Sequence, residues 1–219
     1  MTPDPSFDLG QDRPEPMFNA PWPAVLAAAS IVISNFVLGW VSDETIYRLA
    51  MEPVRVWSGD VAGLVTSLFV HGGWIHALMN AAFALAFGAP VARLLGLGVR
   101  GGGLFGLLYI ACGVLAGLGY AAIHPQSTSL VVGASGAVAG LMGGAARLLD
   151  RPGQLSSLFA PRALSLALGW LVINLVMAAF GGFPGLTGAV AWEAHLFGFA
   201  AGALLISPAA WLAPRSETH

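Results

Sequence analysis

The chain has 219 residues, 57% of them hydrophobic and only 9% charged, where a soluble domain carries about a quarter charged residues. That composition excludes an ordinary water-soluble globule and leaves a protein that sits mostly in lipid. Nine arginines and no lysine stand against eleven acidic residues, a near-neutral balance without the basic patch that nucleic-acid binding requires.

Residues 1–20 interleave Asp4, Asp8, Asp12 and Glu15 with Pro3, Pro5, Pro14 and Pro16. Such a segment buries too little apolar surface to order itself, and it lacks the basic start of a signal peptide. A disordered N-terminal tail ahead of an uncleaved first span is expected. Six hydrophobic stretches follow, at 23–40, 75–95, 101–123, 133–149, 163–180 and 190–211. About 20 apolar residues cross the hydrocarbon core as a helix. The expected fold is therefore all-α: a polytopic membrane protein with a six-transmembrane-helix bundle over 21–211, followed by a C-terminal tail at 212–219. The fourth stretch is the shortest and is rich in glycine, which places it at the centre rather than against lipid. Cys112 is the single cysteine; it allows no intrachain disulfide and reads as a small buried hydrophobe.

With the N-terminus inside, the cytoplasmic segments hold Arg13, Arg93, Arg100, Arg147, Arg151, Arg162 and Arg215, and the external ones only Arg48 and Arg55. This partition follows the positive-inside rule and puts both termini in the cytoplasm. Residues 41–70 then form a long external loop. Its Trp57, Leu64, Leu68 and Phe69, mixed with acidic residues, suggest amphipathic pieces at the interface. Glycines recur four apart at Gly98/Gly102/Gly106, Gly136/Gly140/Gly144 and Gly198/Gly202, a spacing that lets helix backbones approach closely. No internal repeat is present.

Polar side chains inside a membrane are expensive and mark functional sites. The second stretch opens with His71-Gly-Gly-Trp-Ile-His76-Ala-Leu-Met-Asn80, the fourth with Gly133-Ala-Ser135-Gly136, and the sixth holds Glu193-Ala-His195-Leu-Phe-Gly198. All three stretches enter from the external side, so the three clusters share one depth and read as one site. His76 and Asn80, four apart, lie on one helix face. His71 falls off that face and either joins the site or organises the loop entrance.

Ser135 at a helix start is either an N-cap or a nucleophile. The flanking Gly133 and Gly136 leave room for a close partner, and a helix N-terminus offers free N–H donors for an oxyanion. Serine needs an adjacent base, and His195 is the histidine at that level. A side-chain-free stripe at Gly198 and Gly202 packing on Gly136 and Gly140 brings the imidazole within reach. Glu193, two residues from His195, points away from it, so a two-residue dyad is expected. The histidines lack paired ligand spacing with a carboxylate such as His-Glu-x-x-His, so neither metal nor other cofactor is expected.

These motifs, His71 to Asn80, Gly133-Ala-Ser135-Gly136-Ala and Ala194-His195-Leu-Phe-Gly198-Phe-Ala-Ala-Gly202, resemble those of the rhomboid family of intramembrane serine proteases in sequence, order and placement. The resemblance covers nearly everything but the tails. It implies that Ser135 attacks a peptide carbonyl, with His195 as general base and then general acid. It also implies an oxyanion hole from His76, Asn80 and the Ser135 backbone N–H, with His71, Gly133, Gly136, Gly198 and Gly202 in support. The implied partners are single-span membrane proteins, cut where small or helix-breaking residues ease unwinding. The chain departs from the common pattern at Ala139, where many members carry a tyrosine packed beneath the histidine. It departs again at Ala62-Gly63, where many carry Trp-Arg. A short form without a targeting extension points to a bacterial inner membrane. Two other functions compete: a catalytically inactive relative that binds membrane proteins, which generally lacks the serine or the histidine, and a small transporter, which calls for an inverted repeat or polar residues spread through the bilayer depth.

Overall fold

The computed structural model describes residues 19–151, 153–180 and 190–214. Most of both predicted tails, at 1–18 and 215–219, lies outside the described residues, as does 181–189 between the fifth and sixth stretches. The described chain is helical: α1 Trp22–Leu38, α2 Asp43–Leu49, α3 Pro53–Trp57, α4 Gly63–Thr66, a 3-10 turn Ser67–Phe69, α5 Trp74–Leu95, α6 Val99–Ile123, α7 Ser135–Ala146, α8 Pro161–Ala179 and α9 Trp192–Leu212. Each of the six predicted apolar stretches contains one apolar helix. Four of them, α5, α6, α8 and α9, are long and apolar enough to cross a membrane, whereas α1 and α7 are shorter.

The shortness of α7 has a structural use. Its 12 residues rise about 18 Å, well under the roughly 30 Å hydrocarbon core. Every residue from Gly136 to Ala146 is buried, because α5, α6 and α9 all pack around it. Ser135 therefore opens a helix enclosed on all sides by α5, α6 and α9.

Glycine sets these approaches. A methyl group at Gly198 would overlap the Gly136 carbonyl oxygen, and one at Gly202 the Gly140 carbonyl oxygen, so α7 and α9 run backbone against backbone. On the opposite side, Gly140 faces the buried Cys112 of α6. The Gly98/Gly102/Gly106 stripe does not act as a unit. Gly102 receives the ring of Trp22, while Gly98 and Gly106 face open space.

The loop between α1 and α5 is ordered by side chains reaching backbone carbonyls. Arg55 binds Asp60 at 2.7 Å and donates to the carbonyls of Tyr47 at 3.0 Å and Arg48 at 3.3 Å, closing the end of α2. The Asp60 carboxylate beside it raises the guanidinium pKa further, and Arg55 in turn lowers that of Asp60. Trp57 donates to the Ala121 carbonyl of α6 at 2.9 Å, and Thr66 to Leu49 at 2.7 Å. Gly63, one of the positions departing from the family resemblance, lies against the Ala50 and Met51 backbone. Met51 and Val131 exchange two backbone hydrogen bonds, at 3.0 and 2.7 Å, which fastens this loop to the segment leading into α7.

Candidate active site

Gly133 makes the turn into α7 with φ +116°, a conformation open mainly to glycine. Its N–H donates to the Ser67 carbonyl at 2.9 Å, and any side chain there would meet the His76 ring. Ser135 is the first residue of α7, and the helix has no side-chain cap. Its hydroxyl is used elsewhere: Oγ lies 2.8 Å from His195 Nε2. His195 sits one turn into α9 and is buried. The α7–α9 backbone contact is what brings the two side chains within hydrogen-bond reach.

Ser135, His195, His76, Asn80, Gly133 and Gly136 line one cavity of about 480 Å³, whose walls are otherwise mostly apolar. His76 and Asn80 reach it from α5. The Gly72 N–H donates to His76 Nδ1 at 3.3 Å; since a backbone N–H only donates, the neutral ring carries its proton on Nε2. Asn80 spends one N–H on the His76 carbonyl at 2.9 Å and keeps the other. Both residues thus hold a donor in reserve.

His71 stands outside the lining. Its Nε2 accepts the Ala134 N–H at 3.3 Å, so it braces the turn carrying Ser135, and its ring meets that of His76 edge-on at 5.2 Å. Burial, with the neighbouring His76 adding to it, pushes the His71 pKa down to about 4, which keeps the accepting nitrogen free of a proton. Glu193 points away from His195 and pairs with His124 at 3.0 Å. Gly198 and Gly202 stand outside the cavity lining, at the contact with α7. Among the described residues no group of three or more His, Cys, Asp or Glu is arranged to hold a metal ion.

Sequence reasoning passed over two residues of α8. Asn174 Oδ1 lies 2.7 Å from His195 Nδ1, and the Trp170 ring packs 5.8 Å from the imidazole, centroid to centroid. His195 is thus oriented from α8, where Ala139 leaves no ring to do so. Asn174 was detectable as an amide inside an apolar stretch. Trp170 carried no such signal, because tryptophan is ordinary in membrane helices near the interface.

No curated protein matches the chain. A family model described as Rhomboid domain matches residues 58–211, a stretch that contains every motif residue of the site and runs from the end of α3 to α9. The match takes in well over half of the molecule, and with it the chain belongs to the rhomboid family.

Proposed function

We propose that this protein is an intramembrane serine endopeptidase that cleaves transmembrane-segment substrates with a Ser135–His195 dyad. The observation that carries the reading is the 2.8 Å contact between Ser135 Oγ and His195 Nε2 inside a largely apolar cavity. His195 takes the hydroxyl proton as Oγ attacks the scissile carbonyl carbon. The negative charge that develops on the carbonyl oxygen meets donors that need no reorganisation. These are the Ser135 backbone N–H, which lacks an intrahelical acceptor at the first position of α7, the second Asn80 amide hydrogen, and His76 Nε2–H. Collapse breaks the C–N bond as His195 gives its proton to the leaving amine. Water then attacks the acyl ester through the same two residues and frees Ser135.

A substrate helix must unwind first, because its carbonyls are internally hydrogen-bonded. Single-span proteins with small or helix-breaking residues near the scissile bond fit that demand. The reading includes a bacterial inner-membrane location, six membrane segments and, from the arginine partition, cytoplasmic termini.

The test is cleavage of a single-span reporter in membranes by the wild type, Ser135→Ala and His195→Ala. We expect the wild type to cut and both folded variants to lose activity by about three orders of magnitude or more. A wild type that leaves a reporter panel intact, or a Ser135→Ala that cuts equally well, sinks the protease reading and favours a membrane-protein binder.

A further inference from the structure

Helix α8 buries little of its surface against the described residues. Of its 19 residues only Ala163 and Asn174 are buried, and Asn174 is the more enclosed, at 0% exposure. A leucine of similar size would fill such a place without the cost of desolvating an amide. The amide instead uses both of its ends. Nδ2 donates to the Trp170 carbonyl at 2.8 Å, and Oδ1 faces His195 Nδ1 at 2.7 Å.

Donor and acceptor roles settle the rest. The Trp170 carbonyl only accepts, so the amide NH2 group must face it; the flipped amide would set two carbonyl oxygens 2.8 Å apart. Oδ1 therefore faces the imidazole, and since it too only accepts, Nδ1 must carry the proton. The neutral ring then has its lone pair on Nε2, the nitrogen that meets Ser135 Oγ. In the other tautomer Nε2–H would donate to the serine oxygen and could not take its proton. The neighbouring carboxylate is committed elsewhere, Glu193 being paired with His124.

Resting on the protease reading above, we infer that Asn174 is the positioning residue of this site, holding His195 in the Nδ1–H tautomer from α8. It touches no substrate atom and acts through the imidazole. A dyad read from sequence thereby becomes a Ser135–His195–Asn174 relay with a neutral third member.

Two readouts test this: cleavage kinetics on a single-span reporter, and the 15N spectrum of histidine-labelled protein in lipid, with the His195 signals assigned by their loss in His195→Ala. The wild type is expected to show His195 protonated at Nδ1. Asn174→Leu should lose that signature and lower kcat by about 100-fold or more with KM nearly unchanged, whereas Asn174→Asp, which keeps an acceptor oxygen, should recover most of the rate. An Asn174→Leu that cuts at the wild-type rate, or that retains the Nδ1–H form, overturns the assignment. Should Asn174→Leu not fold, the wild-type spectrum decides alone, because His195 protonated at Nε2 refutes it. The spectrum is independent of turnover. A wild type that cuts nothing yet shows Nδ1–H lost on removal of Asn174 leaves the tautomer lock standing while the protease reading falls.

Discussion

Gly133 occupies a backbone conformation, φ +116°, that side chains rarely adopt, and a Cβ there would lie 2.6 Å from His76 Cε1. Forcing an L residue into such a conformation costs about 1–3 kcal/mol. The strain falls on the two groups placed nearest the proposed oxyanion, the Ser135 N–H and His76. Gly133→Ala should therefore retain the helical fold yet lower reporter cleavage by at least about tenfold, the equivalent of roughly 1.4 kcal/mol. A variant that cuts at the wild-type rate shows that the turn absorbs the methyl group without moving either donor. At this scale much of the site was legible. Ser135, His195, His76 and Asn80 stood out because polar side chains are scarce in apolar stretches. Asn174 met the same criterion and was overlooked because it lies in no motif with a second polar residue. An N-cap and a nucleophile look alike in sequence, and the nucleophile reading of Ser135 rested on the neighbouring glycines and on His195; the structure leaves α7 without a side-chain cap and sets Oγ 2.8 Å from His195 Nε2, 60 positions away.

Among the elements, α7 and α9 decide the geometry. A Cβ at Gly202 would overlap the Gly140 carbonyl, and backbone cannot yield as a flexible side chain does. Gly202→Ala must push α9 away from α7, at a cost of about 1–3 kcal/mol, and the same displacement separates His195 from Ser135. Gly169, midway along α8, has nothing within 4 Å of where its Cβ would stand, and alanine gains up to about 1 kcal/mol over glycine in a helix. We expect Gly202→Ala to lower both the thermal midpoint and the cleavage rate, while Gly169→Ala keeps the rate and holds or raises the midpoint. Equal behaviour of the pair in thermal denaturation and reporter assays would show that the α7–α9 contact is slack. The four-residue glycine spacing was visible beforehand, but it could not say which stripes are used. Gly98/Gly102/Gly106 has the same spacing and only Gly102 meets a neighbour, because which face turns inward depends on what packs there.

At the scale of the whole molecule, four described arginines stand at helix ends: Arg93 in the last turn of α5, Arg100 in the first turn of α6, Arg147 at the C-cap of α7 and Arg162 in the first turn of α8. Arg147 ties the C-terminus of α7 to α9 through the Ala203 carbonyl and Ser207 Oγ, at 3.0 and 2.7 Å, and Arg162 binds the Leu149 carbonyl at 2.9 Å. Arg48 and Arg55 lie in the loop that joins α1 to α5. Cys112 is fully buried, so single cysteines can report sidedness against a silent background. Val61→Cys, in the loop predicted external, and Leu97→Cys, between α5 and α6, fall at positions 55% and 50% exposed. An impermeant maleimide on intact cells should label the first and reach the second only after lysis; the reverse pattern overturns the orientation. The sequence by itself determined the membrane environment, the six apolar helices and which polar side chains interrupt them, because hydropathy and helix length are local properties of the chain. The tertiary structure alone decided that α7 is too short to cross by itself, how closely Ser135 Oγ approaches the His195 imidazole, and that α8 supplies Asn174 to it. Those outcomes depend on hydrogen-bond directions and backbone contacts between segments far apart in the chain, and no local pattern of residues encodes them.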